Sequence, residues 1–249
     1  MNKLEYLRQH ELGDTHWWFT ARRNIIIDII DKRVKKQEDL QILDLGCGTG
    51  NMLKSLSKFG KVYYADSSIE SIEFCKKRDY KETKLEQIER LSYPSDSFDL
   101  VLALDVLEHS IDDAAALKEI FRICKNDGYG ILTVPAYSLL WTQHDIAACH
   151  VRRYVSGNLR AKLRNTGFCV LKISYFNTLL FLPQFYFRIL MKVIKNVSVQ
   201  KKTNTDFIYA LPASLNSMFK FIFELEKYIL RKFNLPFGLS LFCLVYKPR

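Results

Sequence analysis

Three glycines at alternate positions follow a short apolar segment near the start of the chain. Residues 42–45 read Ile-Leu-Asp-Leu, and Gly46, Gly48 and Gly50 come directly after them. Glycine has no Cβ and tolerates positive φ angles, so this backbone can turn sharply and let a ligand lie against it. Doubly wound α/β folds bind nucleotides at such a turn between a strand and a helix. The turn therefore predicts a nucleotide-like ligand at the end of the first strand.

A carboxylate follows the next apolar segment at a distance typical of nucleotide binding. Residues 62–65 are apolar or aromatic and end at Asp66, twenty residues after Gly46. An acidic residue at about this distance accepts hydrogen bonds from ribose hydroxyls. The glycines themselves depart from the dinucleotide pattern G-x-G-x-x-G, because the third arrives one residue early. This departure favours another class of nucleotide-binding domain.

Four segments, in order, resemble those of the class I S-adenosylmethionine-dependent methyltransferases. The D-x-G-x-G-x-G run that begins at Asp44 resembles motif I, and Asp66 takes the place of the second-strand carboxylate. Residues 97–109 resemble the fourth-strand signature, which runs from Phe-Asp-Leu-Val to Val-Leu-Glu-His. Residues 128–135 resemble the fifth strand, and the resemblance as a whole covers residues 40–175.

Two further segments are similar to those of some bacterial members of this family. One reads His-Trp-Trp-Phe at residues 16–19 and is followed by Arg22 and Arg23, which are weak candidates for contact with the cofactor carboxylate or the acceptor. The other spans residues 144–154 and ends in His-Val-Arg-Arg-Tyr. The bacterial enzymes with such segments are often associated with surface-polysaccharide or quinone-type pathways, which implies a small-molecule, saccharide or lipid-linked acceptor.

The resemblance implies S-adenosylmethionine as the cofactor. The glycines would let the backbone approach its methionine and ribose parts, Asp44 would lie near the ammonium group, and Asp66 would take the ribose hydroxyls. Gln87 stands where the family commonly has an acidic residue near the adenine, and its amide can still accept a hydrogen bond there. The implied cofactor-binding residues are Asp44, Gly46, Cys47, Gly48, Gly50, Asp66, Ser67, Gln87, Ile88, Leu104 and Asp105.

The resemblance also implies the fold, which is an α/β, doubly wound, seven-stranded Rossmann-like sheet with an antiparallel last strand. Residues 1–39 are expected to form an N-terminal helical cap, and residues 40–175 the cofactor-binding core. Residues 176–236 are expected to form a basic, amphipathic helical insertion, and residues 237–249 the final strand. Apolar residues at helical spacing predict one helical face of the insertion; they are Leu215, Met218, Phe219, Ile222, Leu225 and Ile229.

Three histidines are candidates for work on the acceptor. His144 and His150 follow the fifth strand, where acceptor groups bind in this fold, and a histidine can remove a hydroxyl proton near neutral pH. His109 follows the fourth strand, where packing around the cofactor is favoured over a role as base. Zinc binding by His144, Asp145, Cys149 and His150 is disfavoured because their spacing matches no established zinc pattern, so no metal is expected.

Three neighbouring residues leave two interpretations open. Arg152, Arg153 and Tyr154 could hold a phosphate or carboxylate of the acceptor. They could equally fix their loop to the neighbouring helix. The sequence alone does not decide between acceptor binding and a structural role.

Charge is concentrated in the last third of the chain. The net charge is +10, and residues 176–249 contribute eleven basic against three acidic residues. Such a region can bind anionic lipid, phosphorylated substrate or nucleic acid, or can simply be a solvated face. The insertion could thus be a lid, a membrane-surface patch or a dimer contact. Nucleic acid is not expected, since the Asn/Asp-Pro-Pro-Tyr/Phe tetrapeptide of base-amine methyltransferases is missing from the sequence.

The predicted function is methyl transfer to a small-molecule, saccharide or lipid-linked acceptor, most plausibly at oxygen. The alternatives are a cofactor-binding partner subunit without transfer activity and an NAD-dependent oxidoreductase. Six cysteines without a C-x-x-C pair argue against a disulfide framework. No signal peptide is apparent, so the cytoplasm is expected, with contact at the inner membrane surface if the insertion binds lipid. The oligomeric state stays open.

Overall fold

One seven-stranded mixed sheet organises the chain. The computed structural model describes residues 3–34, 39–80, 82–186 and 211–249. The strand order is β3-β2-β1-β4-β5-β7-β6. The strands are β1 (Leu40–Leu45), β2 (Gly60–Asp66), β3 (Thr83–Leu85), β4 (Phe98–Leu104), β5 (Cys124–Pro135), β6 (Cys169–Phe176) and β7 (Ser240–Tyr246). β7 is antiparallel to both β5 and β6, whereas the pairs among β1 to β5 are parallel. The predicted Rossmann-like sheet with an antiparallel last strand is confirmed.

Helices cover both faces of this sheet. They are α1 (Lys3–Leu12), α2 (Trp17–Arg33), α3 (Leu53–Leu56), α4 (Ile69–Lys77), α5 (Asp113–Ile123), α6 (Gln143–Ala147), α7 (Ser156–Thr166) and α8 (Ala213–Lys232). Local chemistry sets several of the helix ends. Asp112 Oδ1 accepts hydrogen bonds from the first backbone N–H groups of α5, and Gly167 ends α7 with a φ of 106°.

Two hydrophobic clusters lie on opposite faces of the sheet. One cluster joins α2 and α8 to the sheet, and the other joins α5 and α7 to it. Aromatic side chains connect α2 with α8: Trp18 stacks on Phe223 with ring centroids 5.2 Å apart, and Trp17 contacts the edges of Phe219 and Phe223. Helix α8 is therefore packed into the core beside the N-terminal cap.

The buried face of α8 differs from the predicted one. The buried residues are Phe223, Glu226 and Leu230. None of them was on the predicted face, of which Leu215, Met218 and Leu225 are exposed. The helix carries apolar residues on more than one side, so periodicity alone could not select the side that meets α2. Earlier in the predicted insertion, residues 181–186 are helical, and residues 187–210 lie outside the described residues.

The helix that follows the glycine turn is short. Residues 46–52 remain in turns, and only Leu53–Leu56 are helical, because glycines with positive φ angles hold the backbone out of the right-handed helical region. Within the described ranges, no helix combines the length and apolar character needed to cross a membrane.

Candidate active site

A cavity of about 370 Å³ lies at the carboxyl ends of β1, β2, β4 and β5. Sheet order reverses between β1 and β4, and ligands of doubly wound folds bind outside this edge. Helices α1 and α2 cover the cavity through Tyr6, Gln9, Trp18 and Arg22, among other side chains. Its volume falls in the range of roughly 300–1,000 Å³ that is typical of small-molecule sites.

The glycine turn forms one wall of the cavity. Gly46 and Gly48 have φ angles of 73° and 55° and line the cavity. A Cβ on Gly46 would lie 2.2 Å from Val106 Cγ2, and one on Gly48 would lie 3.0 Å from Gln9 Oε1. Any side chain at these positions would fill the space beside the backbone. Gly50 lies outside the lining, and a Cβ there would instead lie 2.8 Å from Leu53 Cδ1.

Asp66 reaches the cavity from the end of β2. Its Oδ2 accepts a hydrogen bond from the Gly48 N–H at 2.9 Å, and its Oδ1 accepts one from the Ser68 N–H at 3.0 Å. Burial raises the pKa of the carboxyl, and the two N–H groups oppose that rise. The carboxylate is thus held in one orientation beside the turn. Ser67 lines the cavity next to it.

Two predicted cofactor residues lie behind the turn and do not line the cavity. Asp44 is buried, and burial raises the pKa of its carboxyl to about 7 although the positive charge of Arg22 opposes the rise. The Cys47 sulfur lies 3.6 Å from the Cys75 sulfur. Because β1 is a central strand and α4 covers the turn, both side chains are directed into the protein. The assignment of both residues to the cofactor stays a prediction, and the structure places them behind the wall of the cavity.

Residues after β3 and β4 complete the cofactor side. Gln87 and Ile88 line the cavity, as does Leu104. Asp105 has a φ of 59°, its Oδ1 accepts a hydrogen bond from Thr133 Oγ1 at 2.9 Å, and its Oδ2 pairs with Arg22. The ion pair ties α2 to the floor of the cavity. The sequence had marked Arg22 only as a candidate contact of the cofactor carboxylate or the acceptor.

The three predicted histidines meet at the same cavity. The ring centroids of His109 and His150 are 4.8 Å apart, and those of His144 and His150 are 5.9 Å apart. Burial and the neighbouring His150 lower the pKa of His109 to about 4, so His109 is neutral near pH 7. The segment after β5 therefore returns to the cavity, as the sequence predicts.

Asp145 orients His150. The carboxylate is fully buried, lies 2.8 Å from His150 Nδ1, and accepts two hydrogen bonds from the Arg153 guanidinium at 2.8 and 2.9 Å. Although burial opposes it, these bonds hold the pKa of Asp145 well below its usual range. An ionised Asp145 fixes the proton of His150 on Nδ1, which leaves the lone pair on Nε2.

The arginine and tyrosine of the same segment have structural roles. Arg152 pairs with Asp113 at 3.0 Å, and the Tyr154 hydroxyl donates to Asp113 Oδ2 at 2.9 Å. Neither residue lines the cavity, and Arg153 lines it with its guanidinium already bonded to Asp145. Of the two interpretations that the sequence left open, these contacts favour the structural one for Arg152 and Tyr154, since both fix the loop to α5.

Glu108 is a site residue that the sequence analysis did not single out. Its side chain is fully buried, and both carboxylate oxygens are without a hydrogen-bond partner among the described residues. Burial and the nearby Asp105 raise the pKa of this carboxyl well above its usual range. Its position between Leu107 and His109 is the only sequence signal that could have found it.

The sheet order, the glycine turn and the Asp66 carboxylate have the arrangement of a class I S-adenosylmethionine-dependent methyltransferase domain. Residues 43–132 match the family described as Methyltransferase domain. The turn fits the cofactor of this class, since Gly46 and Gly48 leave a cradle that a Cβ would fill and Asp66 presents an oriented carboxylate beside it.

Curated relatives match a little under half of the chain. The ubiquinone biosynthesis O-methyltransferase of Bradyrhizobium diazoefficiens is 32% identical over 117 residues, which are 43% of this chain and 44% of the relative. An uncharacterised protein of Methanocaldococcus jannaschii, MJ0638, is 35% identical over 109 residues, 43% of this chain and 46% of the relative. The chain thus matches about half the length of these relatives.

Solved structures share the fold. A chain from the complex between the Haloferax volcanii Trm112 methyltransferase activator and its candidate methyltransferase superposes with a TM-score of 0.63 at 18% identity, covering 97% of this chain and 94% of that chain. At this identity the likeness shows the fold alone.

Proposed function

We propose that this protein transfers the methyl group of S-adenosylmethionine to an oxygen atom of a small-molecule, saccharide or lipid-linked acceptor. One observation carries the proposal: the glycine turn and Asp66 share a single cavity with His109, His144 and His150. The first group is suited to a nucleoside and the second to an acceptor with a removable proton. Similarity to a ubiquinone biosynthesis O-methyltransferase supports oxygen as the atom that is methylated.

The protein's contribution to this reaction is positioning and proton removal. S-adenosylmethionine supplies a methyl group on a positively charged sulfur, so the acceptor needs little covalent assistance. Gly46, Gly48 and Asp66 would hold the nucleoside at the carboxyl edge of the sheet. His144 or His150 would accept the acceptor's hydroxyl proton, and Asp145 keeps Nε2 of His150 in the form that can do so. Helices α1 and α2 would exclude water from above.

An acceptor panel tests the proposal. Purified protein and S-adenosylmethionine are incubated with catechols, prenylated hydroxybenzoates and saccharides, with amines as the comparison, and formation of S-adenosylhomocysteine is measured. Turnover with hydroxylated acceptors and none with amines is the expected result. Binding of S-adenosylhomocysteine without turnover on any acceptor would favour the non-catalytic partner subunit. Tighter binding of NADH than of S-adenosylhomocysteine would favour an oxidoreductase.

Contact with a membrane surface belongs to the same proposal. Phe221 and Tyr228 are exposed on α8, and Lys227 and Arg231 approach the Tyr228 ring to 5.0 and 5.1 Å. Basic and aromatic residues side by side suit the interface of an anionic bilayer. Co-sedimentation with phosphatidylglycerol vesicles at low salt is expected for the native chain and should weaken in Phe221→Ser. Equal pelleting with and without vesicles would contradict membrane contact.

A further inference from the structure

A buried carboxylate and two imidazoles converge at one end of the cavity. One ligand atom from each of Glu108, His109 and His150 lies within 4.8 Å of the other two. Glu108 Oε1 and His150 Nε2 are 4.0 Å apart. All three residues line the cavity. Imidazole nitrogens with a carboxylate oxygen form a donor set that divalent transition metals favour.

In the part of the chain that the structure describes, Glu108 is a buried acidic group without a positively charged partner of its own. Neither of its oxygens has a hydrogen-bond partner among the described residues, although the side chain is fully buried. The two cations nearby are already matched, because Arg22 pairs with Asp105 and Arg153 pairs with Asp145. A buried carboxylate without a partner is unfavourable, so a cation bound beside it would supply the missing compensation.

Groups behind both imidazoles hold them in place. His150 Nδ1 donates to Asp145 at 2.8 Å, and His109 forms a hydrogen bond with the backbone of Cys149. Metal-binding histidines are commonly oriented in this way, through a bond from the second ring nitrogen to a carboxylate or carbonyl. Each ring thereby keeps its other nitrogen for a ligand in the cavity.

We propose that Glu108, His109 and His150 bind a divalent first-row transition cation of the Zn²⁺ or Mn²⁺ type. Bonds of about 2.0–2.2 Å would draw the three ligand atoms together by about 1 Å. Three protein ligands leave at least one coordination position open to the cavity. This arrangement is the one found in catalytic rather than in structural metal sites.

The cation's role rests on the proposed function. The hydroxyl oxygen of the acceptor binds at the open coordination position, and the cation lowers the pKa of this hydroxyl. The hydroxyl proton passes to His144, which lines the same cavity. The acceptor oxygen then forms a bond to the methyl carbon as the carbon–sulfur bond breaks, and the electron pair of that bond goes to sulfur. His150 acts in this state as a metal ligand, and His144 as the base.

Direct metal binding tests the site independently of turnover. Protein stripped with EDTA is titrated with Zn²⁺, and separately with Mn²⁺, by isothermal titration calorimetry. We expect one bound Zn²⁺ per chain and an affinity at least about ten-fold lower in Glu108→Gln and His150→Asn. Glu226→Gln is the matched control, since Glu226 is also a buried carboxylate with one unpartnered oxygen among the described residues but lies outside the cavity. Its affinity should equal that of the native chain.

A second variant, Cys149→Ser, tests whether the exposed thiol of Cys149 binds the metal instead. Binding should persist in Cys149→Ser. Three results would each contradict the metal site. They are loss of binding in Cys149→Ser, no binding of Zn²⁺ or Mn²⁺ to the native chain, and equal metal affinity in the native chain and Glu108→Gln. S-adenosylhomocysteine is titrated in parallel: if it binds and metal does not, the metal site fails while the proposed function stands, and the reverse result rejects the proposed function alone.

Discussion

At the scale of single residues, the site divides into groups fixed by local chemistry and groups fixed by distant contacts. Gly46, Gly48 and Asp66 could be predicted because a glycine turn and the carboxylate one strand later are local features of the chain. Arg152 and Tyr154 could not be assigned in this way, because their direction depends on Asp113, a residue of α5 some forty positions earlier. The importance of Glu108 likewise depends on burial by several elements.

Removal of the candidate proton acceptors is predicted to affect turnover and spare cofactor binding. His144→Ala and His150→Ala should each lower kcat by about 10²-fold or more, because positioned acid–base groups contribute roughly 10²–10⁴. The affinity for S-adenosylhomocysteine should stay within about two-fold, since these rings follow β5 rather than the turn. The measurement is the rate of S-adenosylhomocysteine formation on the best acceptor.

The matched control for these histidines is His10→Ala. His10 stacks on Phe74 with centroids 4.6 Å apart and does not line the cavity, so its removal should leave the rate unchanged. Unchanged turnover in both His144→Ala and His150→Ala would reject the assignment of these side chains to the reaction.

At the scale of elements, helix α8 behaves as part of the core. Glu226 on its buried side accepts hydrogen bonds from the N–H groups of Thr178 and Leu179 at 2.7 and 2.8 Å. Asp28 of α2 pairs with Arg231 of α8. The sequence predicted a helix here but not its partner, because periodicity identifies an apolar side without naming what covers it. The idea that this helix moves as a lid finds no support in such packing.

Truncation of one aromatic residue is predicted to measure that packing. Phe223 is fully buried against Trp17, Trp18 and Phe176, so Phe223→Ala should lower the free energy of unfolding by about 3–5 kcal/mol. Phe221→Ala on the same helix should change it by less than about 0.5 kcal/mol, because Phe221 is 65% exposed. Urea denaturation compares the two; equal effects would show that α8 is not held by this cluster.

The buried carboxyl of the same helix is predicted to make stability depend on pH. Burial raises the pKa of Glu226 to about 7, although backbone N–H groups oppose the rise. Its folded pKa exceeds the unfolded value, so the folded state retains a proton that the unfolded state releases. The contribution of this carboxyl to the free energy of unfolding is therefore fully present below about pH 4.5 and is lost as the pH rises to 7 and beyond.

Replacement of this carboxyl removes the effect. At pH 8 the free energy of unfolding of Glu226→Gln, measured by urea denaturation, should exceed that of the native chain by about 1–3 kcal/mol. The difference should vanish near pH 4.5. Glu224→Gln, a more exposed change on the same helix, should follow the native pH profile. A difference between Glu226→Gln and the native chain that stays constant with pH would refute the assignment.

At the scale of the whole molecule, the architecture followed from sequence and the function did not. Residues 40–175 carry motifs in a fixed order, and that order dictates a sheet whose reversal point lies between β1 and β4. The same architecture serves many reactions, so the acceptor must be identified from the cavity itself. There the sequence lacked the decisive information, because side chains from α1, α2 and four strand ends meet only once the chain is folded.

The central claim is that the glycine turn and Asp66 bind the S-adenosyl nucleoside. Isothermal titration of the native chain with S-adenosylhomocysteine, alongside Asp66→Ala, tests it directly. We predict one saturable site per chain and at least about ten-fold weaker binding in Asp66→Ala, because a carboxylate accepting hydrogen bonds contributes roughly 1.5–3 kcal/mol. Asp99→Asn, a change on β4 outside the cavity, should bind as the native chain does. No detectable binding, or equal binding to the native chain and Asp66→Ala, would contradict the account.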